Sequence, residues 1–268
     1  MKGVRIQCPA KINLNLKVID KREDGFHNIE SVMQTIDLYD YLSISMIDSE
    51  KNEIKLTGNS TEIPYDSSNL VYKAAKLFLE EKKSDSPKKL IIDIEKNIPV
   101  SAGLAGGSTN AAGVIFGLNK LMNDFLPENE LHNLCAKLGS DLNVCLTGGC
   151  LKTSGRGEIV KPHLYNQYDV NLIKPLDLGI SAKYAYTRFS EKLSGGFDIE
   201  SRQDFVNDLE WAILNDFEQL QYLKNKYPTA IMTGSGSTYF SLEEEFSQED
   251  GFWVENGHKT ITEGVKIV

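Results

Sequence analysis

An α+β fold of two domains is predicted by three observations. Segments near the start of the chain alternate apolar and polar residues at the two-residue period of a half-buried strand. In the middle of the chain, amphipathic helical segments flank and leave a glycine-rich loop. Beyond Thr153 the texture changes to strands interleaved with a helix around a second glycine-rich turn. The change falls near residues 153–160 and divides the chain into 1–155 and 156–268.

The elements follow in order. Ile12, Leu14, Leu16 and Val18 alternate with Asn13, Asn15 and Lys17, so a first strand buries one face. Lys11 falls on its polar face, where a solvated side chain is the ordinary outcome. Leu42, Ile44 and Met46 alternate with Ser43 and Ser45 in the same way. Asp66, Ser67 and Ser68 offer caps for a helix over 69–81, with Leu70, Ala74, Leu77 and Phe78 as its apolar stripe. The run Leu90-Ile91-Ile92-Asp93-Ile94 reads as a buried strand. A second helix begins near Ser108, buries Ala111, Ile115, Leu118 and Met122, and ends before Asp124. A third runs from about Glu128, buries Leu131, Leu134, Cys135 and Leu138, and stops at Gly139, a residue suited to a left-handed C-cap. After Ser154-Gly155-Arg156-Gly157 a helix is expected over 204–217. Ala230-Ile231-Met232 and Tyr239-Phe240 then flank the second glycine-rich turn.

Composition narrows the function. The 268 residues are 41% hydrophobic and 25% charged, the balance of a folded globular protein. No apolar run approaches the roughly 20 residues needed to cross a bilayer, so no membrane partner is expected. The polar opening Met1-Lys2-Gly3-Val4-Arg5 is unlike a secretory leader, and a cytoplasmic location is expected. A formal net charge of −9 argues against nucleic acid as the main ligand. Cys8, Cys135, Cys145 and Cys150 form no CxxC pair, which points to reduced, buried thiols rather than metal ligands or a disulfide framework.

The stretch Pro99-Val100-Ser101-Ala102-Gly103-Leu104-Ala105-Gly106-Gly107-Ser108-Thr109-Asn110-Ala111-Ala112 carries the most chemistry. Small side chains let a main chain approach a polyphosphate, and the free N–H groups of a following helix supply donors at the positive end of its dipole. Ser108 and Thr109 add hydroxyls that serve either as helix caps or as help in holding a metal. A tight strand-to-helix turn, packed closely on its neighbours, explains the same glycines. GxxxxGK[ST] is absent, and the glycine spacing is not that of a dinucleotide fingerprint.

Residues 99–112 resemble the second motif of the GHMP kinase superfamily, P-x-x-x-G-L-G/A-G-G-S-S/T-N/D-A-A. Cys8-Pro9-Ala10-Lys11-Ile12-Asn13-Leu14 is similar to the first motif, and Met232-Thr233-Gly234-Ser235-Gly236-Ser237-Thr238-Tyr239-Phe240 to the third, so the likeness covers nearly the whole chain in order. Arg22-Glu23-Asp24-Gly25-Phe26-His27 resembles the R-x-D-G-Y/F-H signature of the branch that phosphorylates the 2-hydroxyl of a cytidine diphosphate-linked polyol in non-mevalonate isoprenoid biosynthesis. Asn69-Leu70-Val71 and Leu138-Gly139-Ser140-Asp141 also fit.

The resemblance implies an S5-like N-terminal half, a ferredoxin-like C-terminal half and an active site in the cleft between them. It implies ATP and Mg²⁺ as cofactors, a small-molecule substrate, and a monomer or homodimer. Asp141 would be the base facing the substrate hydroxyl, with Lys11 as its cationic partner and Asn13 beside both. Phe26 and His27 would meet the cytosine, with Tyr186 on its other face and Ser181 on the substrate side. Asn69 and Lys96 would lie near the adenosine. Pro99 and the segment Ala102, Gly103, Leu104, Ala105, Gly106, Gly107, Ser108 and Thr109 would wrap the phosphates, Ser108 also approaching the metal. A carboxylate beside an alcohol accepts its proton as phosphoryl transfer proceeds, and a nearby ammonium favours the developing alkoxide.

Unaided, each residue has a plainer role: Asp141 as a helix cap, Phe26 as core, His27 as a surface turn residue. The chain also departs from the pattern, with Asp141-Leu142-Asn143 for D-V-P and Ser181-Ala182 for Ser-Thr. Two other readings therefore stay open, a GHMP kinase for a different alcohol and a catalytically weak nucleotide-binding paralogue.

Overall fold

Two long antiparallel strands organise the molecule. In a computed structural model that describes residues 2–82, 86–195 and 200–268, β1 (Lys2–Lys21) pairs with β2 (His27–Asp48) along nearly its whole length. Mean strands are about 5–6 residues long, and strands this long must bend. The ladder slips between Pro9 and Ala10, between Asn13 and Asn15, and between Val18 and Asp20. Such bulges raise local twist, letting one strand serve two packing layers.

The first sheet continues with β3 (Glu53–Gly58), β4 (Lys88–Glu95), β5 (Cys150–Ser154) and β6 (Ile159–Pro162). Here β4 pairs β2, β3 lies parallel to β4, and β5 pairs both β2 and β6. A second sheet holds β7 (Asp169–Pro175), β8 (Ile231–Met232), β9 (Tyr239–Ser241) and β10 (Phe252–Lys259) in the order β10-β7-β9-β8. The last strand, β11 (Lys266–Ile267), returns to the first sheet beside β1.

Helices α1 (Leu70–Lys82), α2 (Gly106–Leu121) and α3 (Glu128–Leu138) pack on the first sheet. In that core, Phe78, Ile115 and Leu118 meet Ile6, Leu42, Ile44, Leu90 and Ile92. Gly113 sets the approach of α2, since a Cβ there would lie 2.6 Å from Cys8 Sγ. The buried stripe of α1 is Val71, Ala74, Ala75, Phe78 and Leu79, while Leu70 and Leu77 are only half-buried. Its first turn is also capped differently from expectation. Asn69 Oδ1 accepts from Val71 N at 2.9 Å, and Asp66 Oδ1 instead closes a turn by accepting from Ser68 N.

Two further expectations are corrected. Helix α2 begins at Gly106, two residues before Ser108, and its N-cap is Ala105 with no side-chain cap. Gly139 ends α3 in extended backbone (φ 175°), a conformation open to any residue, so it is not a left-handed cap. The four cysteines are free and buried.

A short helix α4 (Leu142–Thr147) follows α3, and the second sheet is covered by α5 (Ala182–Ser194), α6 (Asp208–Ile213) and α7 (Glu218–Lys226). The single helix expected over 204–217 is thus a chain of short turns, and α5 and α7 were not foreseen. Between the sheets lies a seam of Ala10, Ile12, Ile36, Leu104, Val170, Leu172 and Phe240. It explains why Cys8 to Asn13 are all buried: β1 is covered on both faces there, so the two-residue alternation does not decide burial. Lys11 is 2% exposed rather than solvated. A buried carboxylate fastens the far end of β1. Asp208 accepts from Val18 N at 2.7 Å and pairs with Arg202 and with Lys17. Leaving such a carboxylate unpaired would cost several kcal/mol.

Candidate active site

A cleft of about 1070 Å³ runs between the two layers, from the glycine loop to α5. At the loop end, Ser101, Gly103 and Ala105 all have positive φ, at 52°, 75° and 60°. This path turns Pro99, Ala102, Gly103, Ala105, Gly106, Gly107 and Ser108 onto the cleft wall. Helix α2 starts there with no side-chain cap, so its first-turn N–H groups are the donors that the open end presents. Gly103 is required on two counts. Its φ is left-handed, and a Cβ would lie 2.1 Å from Thr233 O. Leu104 and Thr109, by contrast, turn inward and are fully buried. Leu104 contributes its carbonyl, which accepts from Lys11 N at 3.1 Å.

The three sequence motifs converge on Lys11. Its Nζ donates to Asn13 Oδ1 at 2.7 Å and to Gly103 O at 2.9 Å, and lies 3.4 Å from Asp141 Oδ2. Asn13 is fixed in turn: its N–H donates to Thr233 Oγ1 at 3.0 Å and its Nδ2 to Ser31 Oγ at 2.9 Å. Asp141 stands at the head of α4 but makes no side-chain cap bond; the backbone alone turns there. Its carboxylate, 29% exposed, faces the buried ammonium instead. Asn143, the nearby departure from D-V-P, is buried and donates its Nδ2 to Glu158 O at 2.8 Å. That bond ties α4 to the Gly155–Glu158 turn and leaves the Asp141–Lys11 contact in place.

The cations of the cleft are mostly paired. Lys96 lines the wall near Gly106, but its Nζ is bound to Asp40, a fully buried carboxylate that also accepts from Asn97 N and Ile98 N. Asn69 lines the wall too, with its amide engaged by Pro64 O and Val71 N. Both therefore meet the cleft as parts of the framework.

The opposite end is built from the β1–β2 turn and α5. Phe26 is half exposed, with the Arg156 guanidinium 4.8 Å from its ring centre. His27 stacks on Tyr186 at 5.1 Å and 17°, and meets Phe189 edge-on. Burial pushes the His27 imidazole below its usual pKa, and nearby Lys21 adds to the shift. Burial raises the Tyr186 phenol, with the charge of Asp141 contributing. Ser181 caps α5, its Oγ accepting from Tyr184 N at 3.2 Å. Ala182, where a threonine would be usual, is exposed in the first turn.

Helix α5 supplies what sequence reading missed. Beside Tyr186, which the resemblance named, Lys183, Thr187, Ser190 and Ser194 recur at three- and four-residue spacing and line the cleft. The opposite face buries Ala185, Phe189 and Lys192. That period, with a serine cap ahead of it, is a legible helix signal in 181–194.

Residues 69–149 match the family GHMP kinases N terminal domain. A 4-diphosphocytidyl-2-C-methyl-D-erythritol kinase of Clostridium botulinum is 39% identical over 90% of this chain and 91% of its own. A crystal structure of 4-(cytidine 5'-diphospho)-2C-methyl-D-erythritol kinase superposes with a TM-score of 0.72 at 26% identity, covering 96% of this chain and 99% of that one. Homoserine kinase from Cytophaga hutchinsonii, at 16% identity and a TM-score of 0.68, shares the fold over 100% of this chain and 98% of its own. With this degree of likeness extending across both halves of the molecule, the chain belongs to the 4-diphosphocytidyl-2-C-methyl-D-erythritol kinase family, a branch of the GHMP kinases.

Proposed function

We propose that this kinase transfers the γ-phosphoryl group of ATP to the 2-hydroxyl of 4-diphosphocytidyl-2-C-methyl-D-erythritol. The observation that carries the reading is the Lys11–Asp141 pair, set between the glycine loop and the aromatic end of one cleft. ATP lies with its phosphates along Gly103 to Ser108, where backbone N–H groups and the positive end of α2 meet their charge. The acceptor's cytosine lies against Phe26, His27 and Tyr186. Its hydroxyl then reaches Asp141, which takes the proton as the new P–O bond forms and the bond from the γ-phosphorus to the departing ADP breaks. Lys11, held by Asn13 and Gly103 O, offsets the negative charge that develops on the oxygen.

Magnesium fits the donors at hand. Ser108, on the cleft wall, offers a hydroxyl oxygen that would hold the ion together with phosphate oxygens and water. When bound, the ion neutralises charge on the phosphates being parted. The division at 155/156 remains part of this reading. Its support is that all strands of the second sheet follow it, although β6 and β11 belong to the first. A cytoplasmic site of action is supported by the four free thiols.

The experiment is ATP consumption by the purified chain with 4-diphosphocytidyl-2-C-methyl-D-erythritol, homoserine and mevalonate in parallel. Turnover confined to the first supports the proposal. Turnover with another alcohol in its place overturns the substrate, and no turnover with any overturns the catalytic reading.

A further inference from the structure

His27 is clasped from three sides by α5. Its ring stacks on Tyr186, meets the edge of Phe189, and brings Nε2 to 3.0 Å from Ser190 Oγ. Which of the two atoms supplies the proton depends on the tautomer of the ring. Ser190 Oγ also lies 3.1 Å from the carbonyl of Tyr186, one turn back on the same helix, an oxygen that can only accept. With its single hydroxyl proton on that carbonyl, Ser190 Oγ accepts from the ring. In that arrangement the proton of a neutral His27 sits on Nε2, and Nδ1 carries a lone pair. Nδ1 has no hydrogen-bond partner among the described residues, and it is not sealed in the interior, while His27 is part of the cleft wall. Burial and the neighbouring Lys21 both disfavour a second proton on the ring.

We propose that Ser190 is a positioning residue for base recognition: by holding His27 as its Nε2–H tautomer, it makes the cleft wall a hydrogen-bond acceptor that suits cytosine and rejects uracil. The inference rests on the cytidine-linked acceptor proposed above. Cytosine presents an exocyclic amino group, a donor, where uracil presents a carbonyl oxygen. An Nδ1 lone pair accepts from the first and repels the second. An Nδ1–H would reverse the preference. The selectivity of the site is thus set by a helix hydroxyl that acts on the base through the His27 ring.

The test has two arms. In the first, ¹⁵N NMR of the substrate-free wild type reads the His27 tautomer directly, and the neutral Nε2–H signature is expected. An Nδ1–H tautomer, or an imidazolium at neutral pH, overturns the proposal whatever the substrate proves to be. In the second, Ser190→Ala, Ser190→Thr and wild type are compared with cytidine- and uridine-diphosphate-linked methylerythritol. Alanine suits a helix, so folding is retained. The expected result is a loss of about tenfold or more in cytidine-over-uridine kcat/KM for Ser190→Ala, with the KM for ATP unchanged and with recovery in Ser190→Thr. Undiminished discrimination in Ser190→Ala overturns the role of Ser190. A wild type that turns over neither compound removes the proposed function, and with it the selectivity, while the spectrum still decides the tautomer.

Discussion

The two ends of the cleft are made in different ways. The loop end is backbone. Positive φ values at Ser101, Gly103 and Ala105 and the uncapped start of α2 present N–H groups along one continuous segment. The α5 end is side chains, in which His27 meets Tyr186 and Ser190 from a helix some 160 residues later and Phe26 lies under Arg156. A polyphosphate asks chiefly for charge and close approach, which main-chain dipoles supply at any sequence that allows the path. A base asks for a particular pattern of donors and acceptors, and only side chains offer that. Changes at one end should therefore act on one ligand and spare the other.

Asp141, between the ends, should be the most costly to change. Asp141→Asn keeps size and shape but can neither accept the proton nor balance Lys11. We expect kcat to fall by about 10²–10⁴-fold with ATP affinity nearly unchanged, measured by steady-state kinetics and equilibrium binding. A kcat within about threefold of wild type would remove Asp141 from the chemistry.

Next comes the loop. A Cβ at Gly106 would lie 2.8 Å from Lys96 Nζ and 3.1 Å from Ile98 Cγ2, so Gly106→Val both narrows the phosphate path and presses on the Lys96–Asp40 pair. ATP affinity should fall by about tenfold or more in a folded variant, with acceptor binding spared. Equal loss for both ligands would mean the two ends are not separable. At the other end, Tyr186→Ala removes one aromatic face and should raise the acceptor KM by about tenfold while leaving that for ATP alone.

The smallest effect lies outside the cleft. His258 bridges the two layers, with Nε2 2.7 Å from Glu255 Oε2 and Nδ1 3.2 Å from Asp37 Oδ1. The hydrogen bond and charge of Glu255, with Asp37, raise its pKa above the ordinary 6.5. Packed around it are also Lys259, which pairs with Asp169, and the Lys259 N–H on Asp37. A raised folded pKa means stabilisation that is complete below 6.5 and is lost as pH rises through the folded value. The wild type should thus lose its Tm advantage over His258→Asn across that interval. A pH-independent difference would show that the bridge is not an ion pair.

The loop end was legible because its cause is local. Glycines at 103, 106 and 107 and the alanine-rich helix after them suffice to specify a backbone path, and the path is the site. The α5 end was legible only in part. Phe26, His27 and Tyr186 were named through a resemblance, while Ser190 carried no signal of its own. Its meaning comes from a carbonyl four residues back and a ring brought from β2.

By itself the sequence determined the strand and helix periods, the glycine path, and the absence of a lysine in the loop. All of these depend on neighbours a few residues apart. Tertiary structure decided that Lys11 is buried, because the second sheet covers a strand face whose alternation pointed to solvent. It decided that Asp141 faces an ammonium rather than capping its helix, and that Asn69 caps where Asp66 was expected to. Those outcomes turn on which groups remain unpaired once distant segments pack, and no local period records that.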